Sequence, residues 1–166
     1  VDKLEIVVVN SGSQQNEEPI IKEFQEKYNN IVYIKTENRE TIYVAWNRGI
    51  KASSGKYITN ANTDDRHRKD AFKIMVNVLE NEKEISVVYG DYIKTDIENQ
   101  TFEKHTSVAY IIQREFDSCQ LLHFYFIGPQ PMWRRRLHEE FGYFDEDLKV
   151  AGDYEYWLRI SEKCEF

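Results

Sequence analysis

Leu4-Glu5-Ile6-Val7-Val8-Val9 runs straight into Asn10-Ser11-Gly12-Ser13, and this junction decides the reading of the fold. A β-branched run of strand length that ends in turn formers is a buried strand handing polar residues to a loop. Helical and extended patterns then alternate. Pro19 to Tyr28 sets Ile20, Ile21, Phe24 and Tyr28 at helical spacing behind Glu17 and Glu18, whose charge favours a helix N-terminus. Ile31 to Lys35 reads as a second strand. Thr41 to Ala52 repeats the helical interval through Ile42, Ala45, Trp46, Gly49 and Ile50, and Ser53-Ser54-Gly55 stops it. Lys56 to Ala61 is a third strand ending in Asn62-Thr63-Asp64-Asp65. Arg68 to Asn81 is a helix carried by Ala71, Ile74, Met75, Val78 and Leu79, and Ile85 to Ile93 a fourth strand with Gly90-Asp91 near its end.

This alternation builds an α/β fold, a mostly parallel Rossmann-like sheet flanked by helices on both faces, because each right-handed crossover must cover a side of the sheet. Ligands of such sheets bind beyond the carboxyl ends of the strands. The polar residues there are Asn10, Ser11, Asn62, Asp64, Asp65 and Asp91. After Thr95 the periodicity fades. Asp96 to Lys104 reads as a polar hairpin or loop, and Phe116 to Ile127 is aromatic-rich and fits helix or strand equally. Arg134 to Phe141 is expected to be helical, Gly142 to Asp147 a turn, and Asp153 to Lys163 a last amphipathic helix with Tyr156, Trp157 and Ile160 inward.

Composition narrows the function. A chain of 166 residues is the size of one domain, and 41% hydrophobic with 14% aromatic residues excludes disorder. No apolar run approaches the ~20 residues that cross a bilayer. The 29 acidic residues outnumber the 22 basic ones, for a net charge of −7, which argues against nucleic acid held through its phosphates. Cys119 and Cys164 lack metal-ligand spacing and read as unpaired thiols of a reducing, cytoplasmic compartment. No basic segment precedes an apolar stretch, so no secretory signal is expected, and Val1 reads as the boundary of a fragment of a longer chain. Neither a P-loop, a GxGxxG motif nor a Ser/His/Asp arrangement is present.

Two acidic constellations carry chemistry. Asp64 and Asp65 adjoin at a strand end, where neighbouring carboxylates repel unless a cation neutralises them. Mg²⁺ or Mn²⁺ suits such a sparse set, since either is commonly held by one or two carboxylates plus substrate phosphates. A turn rich in Asp, with Asp65 capping the helix near Arg68, accounts for the same residues without a ligand. In Ala151-Gly152-Asp153-Tyr154-Glu155-Tyr156-Trp157-Leu158-Arg159, Asp153 opens a helix, and spacing alone does not separate a helix cap from a general base. Arg134-Arg135-Arg136 is the densest basic run and reads as a solvated face. His67 lies close enough to Asp64 to touch a phosphate or metal, and the other histidines read as structural. Trp133 and Trp157 fit either the core or a sugar platform.

Taken in order, several segments between residues 4 and 160 resemble a family 2 glycosyltransferase with the GT-A fold. Leu4 to Ser13 resembles the strand and turn that meet the nucleotide base. Trp46-Asn47-Arg48-Gly49-Ile50-Lys51-Ala52 with Gly55-Lys56-Tyr57-Ile58 resembles the Asn-bearing helix leading into the central strand. Asn62-Thr63-Asp64-Asp65 stands where that family carries its DXD-type metal motif. Phe141-Gly142-Tyr143-Phe144-Asp145-Glu146 and Ala151 to Arg159 resemble the acceptor-side segment with its Asp base.

The resemblance implies an inverting transfer of sugar from a nucleotide-sugar donor to a saccharide or lipid-linked saccharide acceptor, in bacterial surface polysaccharide synthesis. Asp153 would be the base; Asp64 and Asp65 would hold Mn²⁺ or Mg²⁺; Asn10, Ser11, Asn47, Asn62, Asp64 and Asp91 would line the donor. One domain over 1–166 is expected, with a nucleotide-sugar half over about 1–95 and an acceptor half over about 96–166. The expected setting is cytoplasmic, with peripheral contact at the inner face of the membrane. The chain departs from the family in four ways. The family's first strand and Pro-rich turn have no counterpart before Leu4, Asn10 and Ser11 replace the acidic pair often found there, Asn62 replaces the first Asp of the metal motif, and Gly152 replaces the Glu that commonly precedes the base. A catalytically silent nucleotide- or sugar-binding module of the same fold is the alternative. A sugar-phosphate nucleotidyltransferase would need a Gly-rich phosphate loop that the sequence lacks.

Overall fold

The computed structural model describes residues 4–166; Val1 lies outside the described residues. The chain forms two compact units. One comprises the chain up to Lys56 with His138–Tyr156, and the other Tyr57–Leu137 with Trp157–Phe166.

In the first unit, β1 (Ile6–Ser11) and β2 (Ile31–Thr36) form a parallel ladder from Ile6 opposite Ile31 to Ser11 opposite Thr36. The crossover that parallel strands require contains α1 (Glu18–Lys27). The ladder continues beyond Val9, so Asn10 and Ser11 are strand residues and the loop starts at Gly12. Glu18 sits in the first turn of α1 beside Pro19, and Glu18 to Lys22 (2.7 Å) and Glu23 to Lys27 (2.6 Å) are ion pairs one turn apart. Each is worth a few tenths of a kcal/mol. The apolar stripe Ile20, Phe24 and Tyr28 is exposed, and α1 buries no residue. By contrast α2 (Ile42–Ala52) packs on β1 and buries Tyr43, Asn47 and Ile50, three positions that recur at helical spacing along one face.

The core of this unit is aromatic. The Phe144 ring lies 4.7 Å from Tyr156, 5.4 Å from Trp46 and 6.0 Å from Tyr43, centroid to centroid, and His138 stacks on Tyr156 at 5.0 Å. Tilted and edge-on pairs at these separations add about 0.5–1.5 kcal/mol each beyond the area they bury.

The second unit holds β3 (Tyr57–Thr59), α3 (Ala71–Asn81), β4 (Val87–Val88), β5 (Tyr92–Lys94), β6 (Ala109–Ile111), α4 (Ser118–Leu121) and β7 (Met132–Arg134). The order closes with α5 (Leu137–Phe141) and α6 (Gly152–Ser161), and the boundary between units falls within both. The class is α/β, as the element order requires. Among the described residues the parallel ladder is the β1–β2 pair; β7 runs antiparallel between β3 and β4, and β5 pairs antiparallel with β6.

Three sequence expectations are corrected here. Ile85 to Ile93 is two strands, because the chain changes partner at Gly90-Asp91, from β7 on one side to β6 on the other. Arg134 belongs to β7, so the helix expected from Arg134 begins at Leu137. Nor is Arg134 a solvated cation: it is 6% exposed. Its guanidinium donates to the carbonyls of Leu79 (2.6 Å), Ile85 (2.8 Å) and Glu82 (3.1 Å). Those of Leu79 and Glu82 belong to the end of α3, where carbonyls lack helical partners and a cation is favoured. Trp133 and Trp157 are each 1% exposed and meet edge to face at 5.4 Å, which makes both core residues and removes them as sugar platforms.

Candidate active site

At the carboxyl end of β1, side chains bind the chain to itself. Asn10 donates from Nδ2 to the Tyr33 hydroxyl (3.1 Å) and accepts the Ser13 N–H at Oδ1 (3.0 Å). Ser11 Oγ accepts the Glu40 N–H at 2.6 Å, and the Glu40 carboxylate pairs with Arg48 on α2. Gly12, at φ +58°, lets residues 38 and 39 approach; a Cβ there would stand 2.6 Å from the Arg39 nitrogen and 2.7 Å from the Asn38 carbonyl carbon. Only glycine fits this backbone conformation and this contact together. The β1 loop is therefore fixed on its far side by 38–40.

Asn47 is 1% exposed, and both ends of its amide are spent on the segment before α6. Nδ2 donates to the Phe144 carbonyl (2.8 Å) and to Glu146 Oε1 (3.0 Å), while Oδ1 accepts the Phe144 N–H (3.1 Å). Asn47→Ala removes the hydrogen bonds to both Phe144 backbone groups in a buried site, and chemical denaturation should show a loss of about 2–4 kcal/mol.

Asp153 is the second residue of α6, half-buried, and its Oδ1 accepts a hydrogen bond from the Tyr43 hydroxyl at 3.1 Å. It is thus not the residue that caps the helix. Ala151, just before α6, holds φ +58°, a conformation that costs a non-glycine residue about 1 kcal/mol and turns the chain into the helix.

In the second unit the Asn62–Asp65 turn follows β3. The Asp65 N–H reaches the Asn62 carbonyl (3.3 Å), and Asn62 Nδ2 donates to Asp65 Oδ2 (2.8 Å). Asn60 Nδ2 donates to Asn62 Oδ1 (3.0 Å) and to the Pro129 carbonyl (2.8 Å). Asp65 closes this turn and does not cap α3, which starts later, with Asp70 at its N-cap position. Asp64 is exposed, and among the described residues its carboxylate has no hydrogen-bond or ion-pair partner. No group of three or more His, Cys, Asp and Glu suited to a metal occurs among the described residues. Asp91, also exposed, accepts the Gln113 N–H at 2.8 Å and so ties the start of β5 to the chain beyond β6.

His67 lies with its ring 4.5 Å from Phe72, and burial pushes its pKa below the ordinary value. Its Nε2 is buried and has no hydrogen-bond partner among the described residues. With Arg66, Lys69, Thr101, Phe102 and Glu103 it lines a cavity of about 300 Å³, in which Lys69 pairs with Glu103 at 2.6 Å. Reading the sequence singled out neither Tyr43 nor the Glu40–Arg48 pair. The available signal was a tyrosine four residues before Asn47, on the same face of the same helix.

Comparison with known proteins places these features. A family model described as glycosyl transferase family 2 matches residues 1–142. An uncharacterised glycosyltransferase of Rickettsia typhi is 30% identical over 165 residues, covering 95% of this chain and 50% of the relative. Bacillus subtilis YwdF, also an uncharacterised glycosyltransferase, is 27% identical over 139 residues, 80% of this chain and 48% of the relative. The chain spans about half the length of these two relatives and about a quarter of a Rickettsia felis one. Among solved structures, S. aureus TarS 1-349 superposes with TM-score 0.72 at 19% identity, over 95% of this chain and 46% of that one. The mannosyltransferase PcManGT from Pyrobaculum calidifontis, in complex with GDP-Man and Mn²⁺, gives TM-score 0.65 at 19% identity, over 93% and 42%. The fold is that of the GT-A glycosyltransferases, and the chain belongs to glycosyl transferase family 2.

Proposed function

We propose that this chain is the catalytic module of an inverting glycosyltransferase that moves a sugar from a nucleotide-sugar donor to a hydroxyl of a saccharide or lipid-linked saccharide acceptor. The observation that carries this reading is the Asn62–Asp65 turn directly beyond β3, with Asp64 exposed and unpartnered among the described residues, in a chain of this family. Asp64 and Asp65 fit Mn²⁺ or Mg²⁺, since a sparse pair of carboxylates without a complete protein cage suits such a cation. Held by them, it would supply positive charge against the departing nucleoside diphosphate. Asn62 keeps Asp65 in place through its amide.

Asp153 takes the proton of the acceptor hydroxyl as that oxygen attacks the anomeric carbon and the bond to the diphosphate breaks. Asn10 and Ser11 serve the nucleotide base through the loop their side chains fix, and Asn47 serves the site through the 144–146 segment it clamps. Asp91 lies at the strand end on the donor side. No helix among the described residues is long and apolar enough to cross a membrane. The setting proposed is the cytoplasm, with acceptors presented at the inner face of the membrane for surface polysaccharide synthesis. That setting rests on analogy with the family alone.

The two carboxylates separate experimentally. Asp64→Ala should weaken Mn²⁺-dependent nucleotide binding by about tenfold or more, because it removes an uncommitted ligand. Asp65→Ala should weaken it less, since Asp65 already accepts from Asn62. Calorimetric titration of both variants decides, and the reverse order would reassign the ligand.

A further inference from the structure

Helix α2 points two polar side chains, one turn apart, at the segment that carries Asp153. Asn47 grips the backbone of Phe144, and Tyr43 reaches Asp153 itself. Tyr43 is 4% exposed, its ring fixed by Trp46 edge-on at 5.6 Å and by Phe144 at 6.0 Å. The hydroxyl at its tip donates to Asp153 Oδ1 at 3.1 Å. The residue before Asp153 yields space for that ring. A Cβ on Gly152 would stand 2.7 Å from Tyr43 Cε2, 2.8 Å from Cδ2 and 2.9 Å from Cζ, distances that real side-chain carbons do not tolerate. The departure at Gly152 and the tyrosine at 43 are one feature: the aromatic ring occupies the volume a side chain at 152 would need.

We propose that Tyr43 is the positioning residue for Asp153: its hydroxyl holds the carboxylate in one orientation, and Gly152 leaves the room its ring needs. This inference rests on the reading of Asp153 as the base. The phenol is suited to the task. Burial, with the negative charge of Asp153 adding to it, pushes the Tyr43 pKa above its ordinary value, so it stays a proton donor through the neutral range. A base held aimed by a fixed donor loses no time to rotamers that face away. Tyr43 faces Asp153 from α2, and Tyr154 and Glu155 are its titratable neighbours on α6. Removing one oxygen from Tyr43 leaves those neighbours and the ring packing in place.

The test needs no substrate. The χ1 rotamer of Asp153 is read from three-bond NMR couplings in the full chain carrying labelled aspartate, with its signals assigned by their absence in Asp153→Asn. In Tyr43→Phe the single dominant rotamer should give way to an average over the staggered wells, the effect of one lost donor that aims the carboxylate. A purely structural tyrosine would alter the unfolding midpoint and leave those couplings where they were, and unchanged couplings overturn the proposal. Gly152→Ala, which pushes the ring aside, should reproduce the averaging. If it folds and does not, the link between Gly152 and Tyr43 is wrong. Failure of the base assignment reads out separately, as transfer that survives Asp153→Asn while the Tyr43→Phe averaging persists.

Discussion

Asp153→Asn should lower the rate of sugar transfer by a factor of about 10² to 10⁴, the usual worth of a positioned general base. The substitution is nearly isosteric, and its amide oxygen can still accept from the Tyr43 hydroxyl, so the geometry around α6 is kept. What is lost is a group able to take the acceptor proton. Nucleotide affinity should stay within a few-fold of the parent, because the role proposed for Asp153 is on the acceptor. Initial rates at saturating donor, set beside calorimetric nucleotide affinity, separate these effects. Normal turnover in the variant would remove Asp153 from the mechanism, and a matching collapse of nucleotide binding would make it a structural residue.

Trp157→Ala should destabilise the second unit by about 3–5 kcal/mol, the range for deleting a large aromatic side chain from a packed core. Trp157 is 1% exposed and meets Trp133 edge-on at 5.4 Å and Phe166 at 6.1 Å. Its removal costs the transfer of the indole from water and opens a cavity that Trp133, itself 1% exposed and pinned in β7, is badly placed to fill. Urea denaturation reads this as a lower midpoint at similar slope. A change under 1 kcal/mol would mean the indole is not the packing centre that its burial implies.

Burial is also what separates the legible parts of this chain from the illegible ones. β1 and β2 are readable as short β-branched runs, and α2 and α6 because their apolar residues repeat at helical spacing. A strand of three residues shows no period, and β7, entering behind Gly128-Pro129-Gln130-Pro131, has none to show. Arg134 opens a run of three arginines and so looks solvent-facing; its burial is caused by α3 carbonyls some 50 positions earlier in the chain. Asn47 is legible as an important residue and not as one whose amide is spent on Phe144, since that partner is remote in sequence. Tyr43 shows the same limit. Its meaning depends on a glycine 109 positions away whose missing side chain leaves room for the ring. At the Asn62–Asp65 turn, by contrast, local sequence suffices, because the turn is closed by its own side chains.

The measurement that tests the central claim most directly is isothermal titration of the 166-residue chain with UDP, GDP and dTDP, each with and without Mn²⁺. A donor site built on Asp64 and Asp65 predicts that one of these nucleotides binds and that its binding depends on the metal. Binding of none of them, with or without Mn²⁺, would contradict the account of this chain as a catalytic module that takes a nucleotide-sugar donor.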